Sequence, residues 1–311
     1  GAPAVRADVG LVSKGAQLRL KPSGIADEMN RGVAALVTDA QGQFRLPADE
    51  SITRVVAVTP EGYAEAMPAA LASNPTLALQ PWGKLEGTWL SGSKSNLTRE
   101  LFLQFPGNDI NTFGFSFEDY IVKTDAQGHF SFPSVPPGRL ELIQLVPAGN
   151  GARAHEPVQE VEIKAGETTT VTIGGSGYTV TARVLWPEGT SGTQRRLMAY
   201  VRTVPPPALA QAMNDPQAAS GLQDSPEAKT YASSARHFTM ALSEGDALQS
   251  DNIPAGDYMV WIMTMPDSAP APGAPQQTMC SGTVQFTVPA EPATGMIDLG
   301  TIALKAPPAR N

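Results

Sequence analysis

Short runs in which apolar and polar residues alternate at every second position fill most of this chain, and Gly, Pro, Asn and Asp separate them. Leu140, Leu142 and Gln144 alternate with Glu141, Ile143 and Leu145. "VEIKAGETTTVTI" reads as two strands joined at Ala165-Gly166, and the apolar run Tyr258 to Met265 suits a buried strand. Phe113, Phe115 and Phe117 alternate as core residues do. The pattern predicts β-strands throughout, with one exception. Pro205 to Ala235 is rich in Ala, Gln and Pro; Asp215-Pro216 and Ser225-Pro226-Glu227 mark helix starts, an N-cap followed by proline.

One heptad occurs twice. "TDAQGQF" at Thr38 to Phe44 returns as "TDAQGHF" at Thr124 to Phe130, 86 residues later. Asp39 and Asp125 can each accept a backbone N–H two residues on, and Gly42 and Gly128 supply the positive φ of a tight turn. Phe44-Arg45-Leu46 and Phe130-Ser131-Phe132 then place two large apolar groups on one face, predicting a core strand after each turn. Further on, "DNIPAGDYMVWIMTMP" reads like "PSVPPGRLELIQLVP", which puts Leu248 in the place of Phe130. That spacing is 118 residues, and the insertion at 205–235 accounts for the surplus of 32. Early strands are expected at Gln17 to Leu20, Glu100 to Leu103 and Leu197 to Arg202. Closing strands are expected at Leu77 to Leu79, Thr170 to Ile173 and Gly300 to Leu304. Copies two and three open with "WGKLEGTWL" and "GYTVTARVLWP", whereas copy one offers only "RADVGLVSKG".

The expected architecture is all-β: three tandem antiparallel β-sandwich modules at 1–82, 83–175 and 176–306, the third with a short helical insertion at 205–235 and the first lacking a clear opening strand. "TDAQGHFSFPSVPPGRLELIQLVP" resembles the carboxypeptidase regulatory-like, or prealbumin-like (transthyretin-like), β-sandwich family, whose members carry a TDxxGxF turn and a PPG-type turn before the next strand. The resemblance implies a prealbumin-like or Ig-like fold in a tandem array, within a secreted or periplasmic bacterial protein. Modules of that family accompany membrane metallopeptidases and thioredoxin-like domains. Its shared residues are turn and core residues, so it implies a fold and no activity.

The composition narrows the chemistry. A net charge of −8 with no Lys/Arg cluster excludes nucleic acid as a partner. No apolar stretch reaches the length of a membrane span. The single cysteine, Cys280, excludes an intrachain disulfide, and with no basic neighbour it reads as inert. The start Gly1-Ala2-Pro3-Ala4, without methionine, predicts a processed secretory product or part of a longer polypeptide. Each heptad offers one Asp followed by Ala and Gln, too few acidic groups for a calcium loop. His129, His155 and His237 show no metal-ligand spacing; His129 should face solvent, and His155 sits in a loop flanked by Pro157. A Lys–Asn cross-link is not expected, because Lys84 and Glu86 have no Asn in "TTTVTIGG" to join. Asn96-Leu97-Thr98 matches a glycosylation acceptor.

No catalytic, cofactor or metal residue is therefore expected. Trp82, Trp89 and Trp186 fall near module junctions, and Leu209 and Met213 in the insertion; these five are the candidate ligand or partner contacts. Trp261, amid Met259, Ile262 and Met263, is expected in the core. The expected role is a non-catalytic extracytoplasmic structural or interaction segment, contacting a protein or glycan of the cell envelope. The alternatives are a carbohydrate-binding protein, which needs exposed coplanar tryptophans, and the sensor or regulatory ectodomain of a membrane metallopeptidase.

Overall fold

The computed structural model describes residues 1–16, 18–22, 24–25, 33–91, 98–106, 113–115, 119–187, 196–212, 225–265, 279–292 and 294–306. The first part of the chain holds β1 (Asp8–Ser13), β2 (Leu18–Lys21), β3 (Gly24–Ile25), β4 (Val33–Val37), β5 (Ile52–Thr59), β6 (Gly62–Ala66), helix α1 (Pro68–Ser73) and β7 (Gln80–Pro81). Next come β8 (Gly83–Leu90), β9 (Glu100–Gln104), β10 (Phe113–Phe115), β11 (Val122–Lys123), β12 (His129–Val135), β13 (Gly138–Pro147), β14 (Arg153–Ile163) and β15 (Thr168–Gly174). The last part holds β16 (Gly177–Leu185), β17 (Leu197–Thr203), helices α2 (Pro207–Ala212) and α3 (Pro226–Ser234), and β18 (His237–Thr239). It closes with β19 (Ala241–Ser243), β20 (Ala247–Ile253), β21 (Gly256–Thr264), β22 (Ser281–Val288) and β23 (Thr294–Ala303).

One strand order recurs three times: β4-β1-β5-β6, β11-β9-β13-β14 and β18-β17-β21-β22. In each, an early strand lies between a short edge strand and a central strand. A second order, β12-β8-β15, returns as β20-β16-β23 in the last part of the chain. There the opening strand β16 runs antiparallel to β20 and parallel to β23. A parallel pair is possible because the chain crosses to the other sheet between the two strands. The first part of the chain shows no counterpart of this second sheet among the described residues.

Packing follows period-2 alternation. In the last part, Leu197, Ala199, Val201, Val260 and Ile262 from one sheet meet Val180, Ala182, Val184, Leu248 and Ile302 from the other, a sandwich core. In the first part, Val9, Leu11, Ile52, Val55, Ala57 and Leu71 form a smaller core, with Phe44, Leu46, Leu77 and Leu79 half-buried against it. Central strand β13 is buried on both faces, from Leu140 through Val146, apart from a half-buried Glu141. The chain clusters into two compact units, one of residues 1–89, 98–144 and 157–173, the other of 90–97, 145–156 and 174–311.

Several elements differ from the sequence pattern. The early strand of the first copy is Asp8–Ser13, which pairs with β4 and β5. The stretch expected in that role forms β2, which pairs in parallel with β10 and antiparallel with β3. Gly10 interrupts the apolar run of β1, and alternation alone therefore missed it. Phe44–Leu46 and Leu77–Leu79 alternate between half-buried and exposed positions, yet neither is a ladder strand. His155 lies on β14, not in a loop. The expected start at Ser225 holds: its Oγ accepts from the Ala228 amide at 3.1 Å and caps α3. Phe117, Asn96, Leu97, Asp215, Pro216 and Met213 lie outside the described residues.

Candidate functional site

The twin heptads are the most sharply repeated chemistry in the chain, and each spends its polar groups on its own backbone. Asp39 Oδ1 accepts the amides of Gln41 and Gln43 at 2.9 and 2.8 Å; Asp125 Oδ1 accepts those of Gln127 and His129 at 2.9 and 2.8 Å. The amide of His129, with help from that of Gln127, holds the Asp125 carboxyl below its ordinary pKa. Gly42 and Gly128 take φ of 71° and 85°. The threonines fasten each turn to its early strand. Thr38 Oγ1 accepts from the Ala7 amide at 2.8 Å and donates to the Ala4 carbonyl at 2.6 Å. Thr124 Oγ1 accepts from the Arg99 amide at 3.0 Å. Both threonines are buried. His129 points outward, as expected, with Nδ1 3.2 Å from Asp125 Oδ2.

A second cluster lies on the face of β18-β17-β21-β22 turned away from the core. Leu197, Ala199 and Val201 are buried, so the alternating Met198, Tyr200 and Arg202 point the other way and are half-buried. Met259, Trp261 and Met263 do the same beside buried Val260 and Ile262. Tyr200 sits directly opposite Trp261 in the ladder, with ring centroids 6.2 Å apart and planes 16° apart. The Arg202 guanidinium lies 5.3 Å from the Trp261 ring centre. Its Nε is buried without a hydrogen-bond partner, and burial lowers its pKa.

His237 faces Arg202 across the β17–β18 ladder; burial first, then the Arg202 charge, lowers its pKa. Tyr231 of α3 donates to the Thr203 carbonyl at 2.6 Å, and burial raises its pKa against the pull of Arg202. Burial and then the Glu156 carboxylate raise that of Tyr200; Glu156 Oε2 accepts the Thr239 amide at 2.8 Å. An open groove of about 650 Å³ lies at one end of these strands, lined by Thr203, Val204, Asp257, Gln285, Phe286 and Thr287. The cluster is suited to contact: one cation set among aromatic rings and thioethers. Among the described residues, no three His, Cys, Asp or Glu side chains are placed to hold a metal ion.

Trp261, expected in the core, is half-buried on the opposite face of β21. Both faces of β21 carry large apolar residues, so alternation could not say which one met the interior.

Of the expected contact residues that are described, Trp82 and Trp89 belong to one compact unit and Trp186 and Leu209 to the other. Trp82 donates its indole N–H to the Thr59 carbonyl at 2.9 Å and tilts against Tyr63, with centroids 5.7 Å apart. Trp89 is half-buried, with the Arg99 guanidinium 5.6 Å from its ring centre and its indole nitrogen buried without a partner. Trp186 packs against the core of the last sandwich, and its indole nitrogen is likewise unpartnered. Leu209 is buried at 8% exposure. Cys280 is buried, and its amide donates to Thr264 Oγ1 at 2.8 Å.

No family model and no curated protein sequence matches the chain. Among solved structures, it is similar to the minor pilin GBS52 of Streptococcus agalactiae at 12% identity and TM-score 0.24, covering 74% of this chain and 98% of that one. It is similar to a streptococcal ancillary pilin at 11% identity and TM-score 0.24, covering 98% and 93%. A leucine-rich repeat protein of Bacteroides thetaiotaomicron matches at 12% identity and TM-score 0.26 over 72% of this chain; the chain spans only 26% of that protein's length. Likenesses this distant say nothing of what the chain binds or does.

Proposed function

We propose that this chain is a non-catalytic structural and interaction segment of the cell envelope or secreted space, built from three carboxypeptidase regulatory-like modules. The observation that carries this reading is where the repeated polar residues go. Thr38, Asp39, Thr124 and Asp125 bind backbone groups that close their own turns. An array that repeats turns and cores while varying its surfaces sets spacing and presents faces. The face around Arg202 and Trp261 is the contact surface we assign to the third module, with a protein or glycan of the envelope as its partner.

The test is protease shaving of intact cells of the source organism carrying an epitope-tagged copy, paired with hydrolysis assays on peptide, ester and glycoside substrates. The reading expects the tag to be lost from intact cells and no turnover by the purified chain. A tag protected until lysis would contradict the location; turnover that tracks this chain through purification would contradict the non-catalytic role.

A further inference from the structure

Side chains on the outer face of β18-β17-β21-β22 recur at every second residue and so form rows across the ladder. His237, Arg202, Met259 and Gln285 make one row, because Arg202 pairs with His237 and Met259, and Met259 with Gln285. The row beside it holds Val204, Asp257 and Thr287: Asp257 pairs with Thr287, and its carbonyl accepts the Val204 amide at 3.2 Å. The groove of about 650 Å³ takes Gln285 from the first row and Val204, Asp257 and Thr287 from the second. It is therefore one end of the face that carries Trp261.

Two opposite charges stand on this end. Arg202 and Asp257 lie diagonally across β17 and β21, a spacing of about 7–8 Å between Cα atoms. Among the described residues, neither is in an ion pair. The Trp261 ring, 5.3 Å away, holds the guanidinium, whose Nε is buried without an acceptor. Burial opposes the Arg202 charge, and the Tyr231 phenol, not a carboxylate, supports it. Asp257 is exposed, and its Oδ1 accepts from Thr287 Oγ1 at 2.7 Å, which orients the carboxylate in the groove lining.

We propose that this face binds an extended segment of a partner protein in which an acidic and a basic residue stand two apart, the acid on Arg202 and the base on Asp257. A held cation and a held anion at this spacing complement a ligand that carries both signs. An extended chain presents same-side residues about 6.6 Å apart, the period of the sheet itself, so both charges are met at once. Met259, Met263 and Trp261 beside Arg202 are side chains that protein contacts favour over the rest of a surface. The chain's net charge of −8 repels a purely acidic ligand, whereas a segment of both signs avoids that cost. The inference rests on the contact surface assigned above and narrows its partner to protein.

The probe is the labelled peptide Lys-Ala-Glu-Ala-Lys, titrated with the full chain and followed by fluorescence anisotropy. Whichever way it runs, a Lys falls two residues from the Glu. Replacing the Glu, or both Lys, by Gln is expected to weaken binding about tenfold, and Arg202→Gln in the chain to do the same. Asp257→Lys is expected to invert the preference, so that Glu-Ala-Glu-Ala-Glu binds more tightly than the original probe. Should Arg202→Gln fail to fold, this exposed substitution and the peptides on the unmodified chain decide. Absence of binding at about 10 mM probe would overturn the proposal. Lys-Ala-Gln-Ala-Lys binding as tightly as the probe would also overturn it, since net charge alone would then be the attraction. So would a glucuronate disaccharide that displaces the probe at equal or lower concentration, because a glycan would then be the occupant. Binding is read on the purified chain, so it can fail while the shaving and turnover assays succeed, and the reverse also holds.

Discussion

Two turns with almost the same seven residues lead to different structures. At Thr38 and at Thr124 the same hydrogen bonds form, at nearly the same lengths, around a glycine of positive φ. After the second turn, Phe130 is 5% exposed on a seven-residue strand. After the first, Phe44 is half-buried on backbone in no ladder. The turn is local chemistry, complete within five residues. The strand is not: β12 exists because β8 lies beside it, and Gly87 leaves room for the Phe130 ring, whose atoms a Cβ at that position would strike. The third copy solves the same volume problem the other way, with Leu248 against Ala182.

The largest difference between the two regions should appear on removing the aromatic rings. Phe130→Ala in the full chain is expected to cost about 3–5 kcal/mol by chemical denaturation, and Phe44→Ala roughly half that, because its ring is only half-buried. Equal losses would mean that the ladder adds nothing to the packing of the ring. Next in size is Gly87→Ala, an overpacked contact expected to cost about 1–3 kcal/mol. Phe130→Leu added to it should restore part of that loss, because the pair then reproduces Ala182 and Leu248. A double mutant no better than the sum of its single changes would break the correspondence between copies two and three. Thr38→Val and Thr124→Val each strand a buried backbone amide, and each should cost about 1–3 kcal/mol. Here the two turns are expected to differ only by the bond that Thr38 also gives the Ala4 carbonyl.

The smallest effect concerns acid. The folded-state pKa of Asp125 is depressed, so its contribution is complete above the ordinary carboxylate range and is lost as pH falls through the depressed value. A carboxyl-carbon NMR titration should place the Asp125 midpoint below 3.8. A midpoint at or above that value would mean that the amides of Gln127 and His129 are not bound in solution.

What the sequence made legible was what short segments decide for themselves. The Asx-turn at Asp39, the N-cap at Ser225 and the existence of strand β13 each follow from a few adjacent residues, although the alternation read in β13 did not show that both its faces are buried. The role of Asp8–Ser13 was not legible, because a central strand crowded on both faces shows little alternation. The fate of Phe44–Leu46 was not legible either, since it depends on a partner strand that no local pattern reports. The face around Trp261 was misplaced for a related reason. Periodicity identifies two faces of a strand, but only the opposing sheet decides which is interior.

Amide exchange across both heptads, with and without calcium, tests most directly whether these turns serve the backbone and not a ligand. The account predicts slowed exchange at Gln41, Gln43, Gln127 and His129 alike, added protection at Phe130 with none at Phe44, and no response to calcium. Free exchange at either turn, or protection that appears only with the ion, would contradict it.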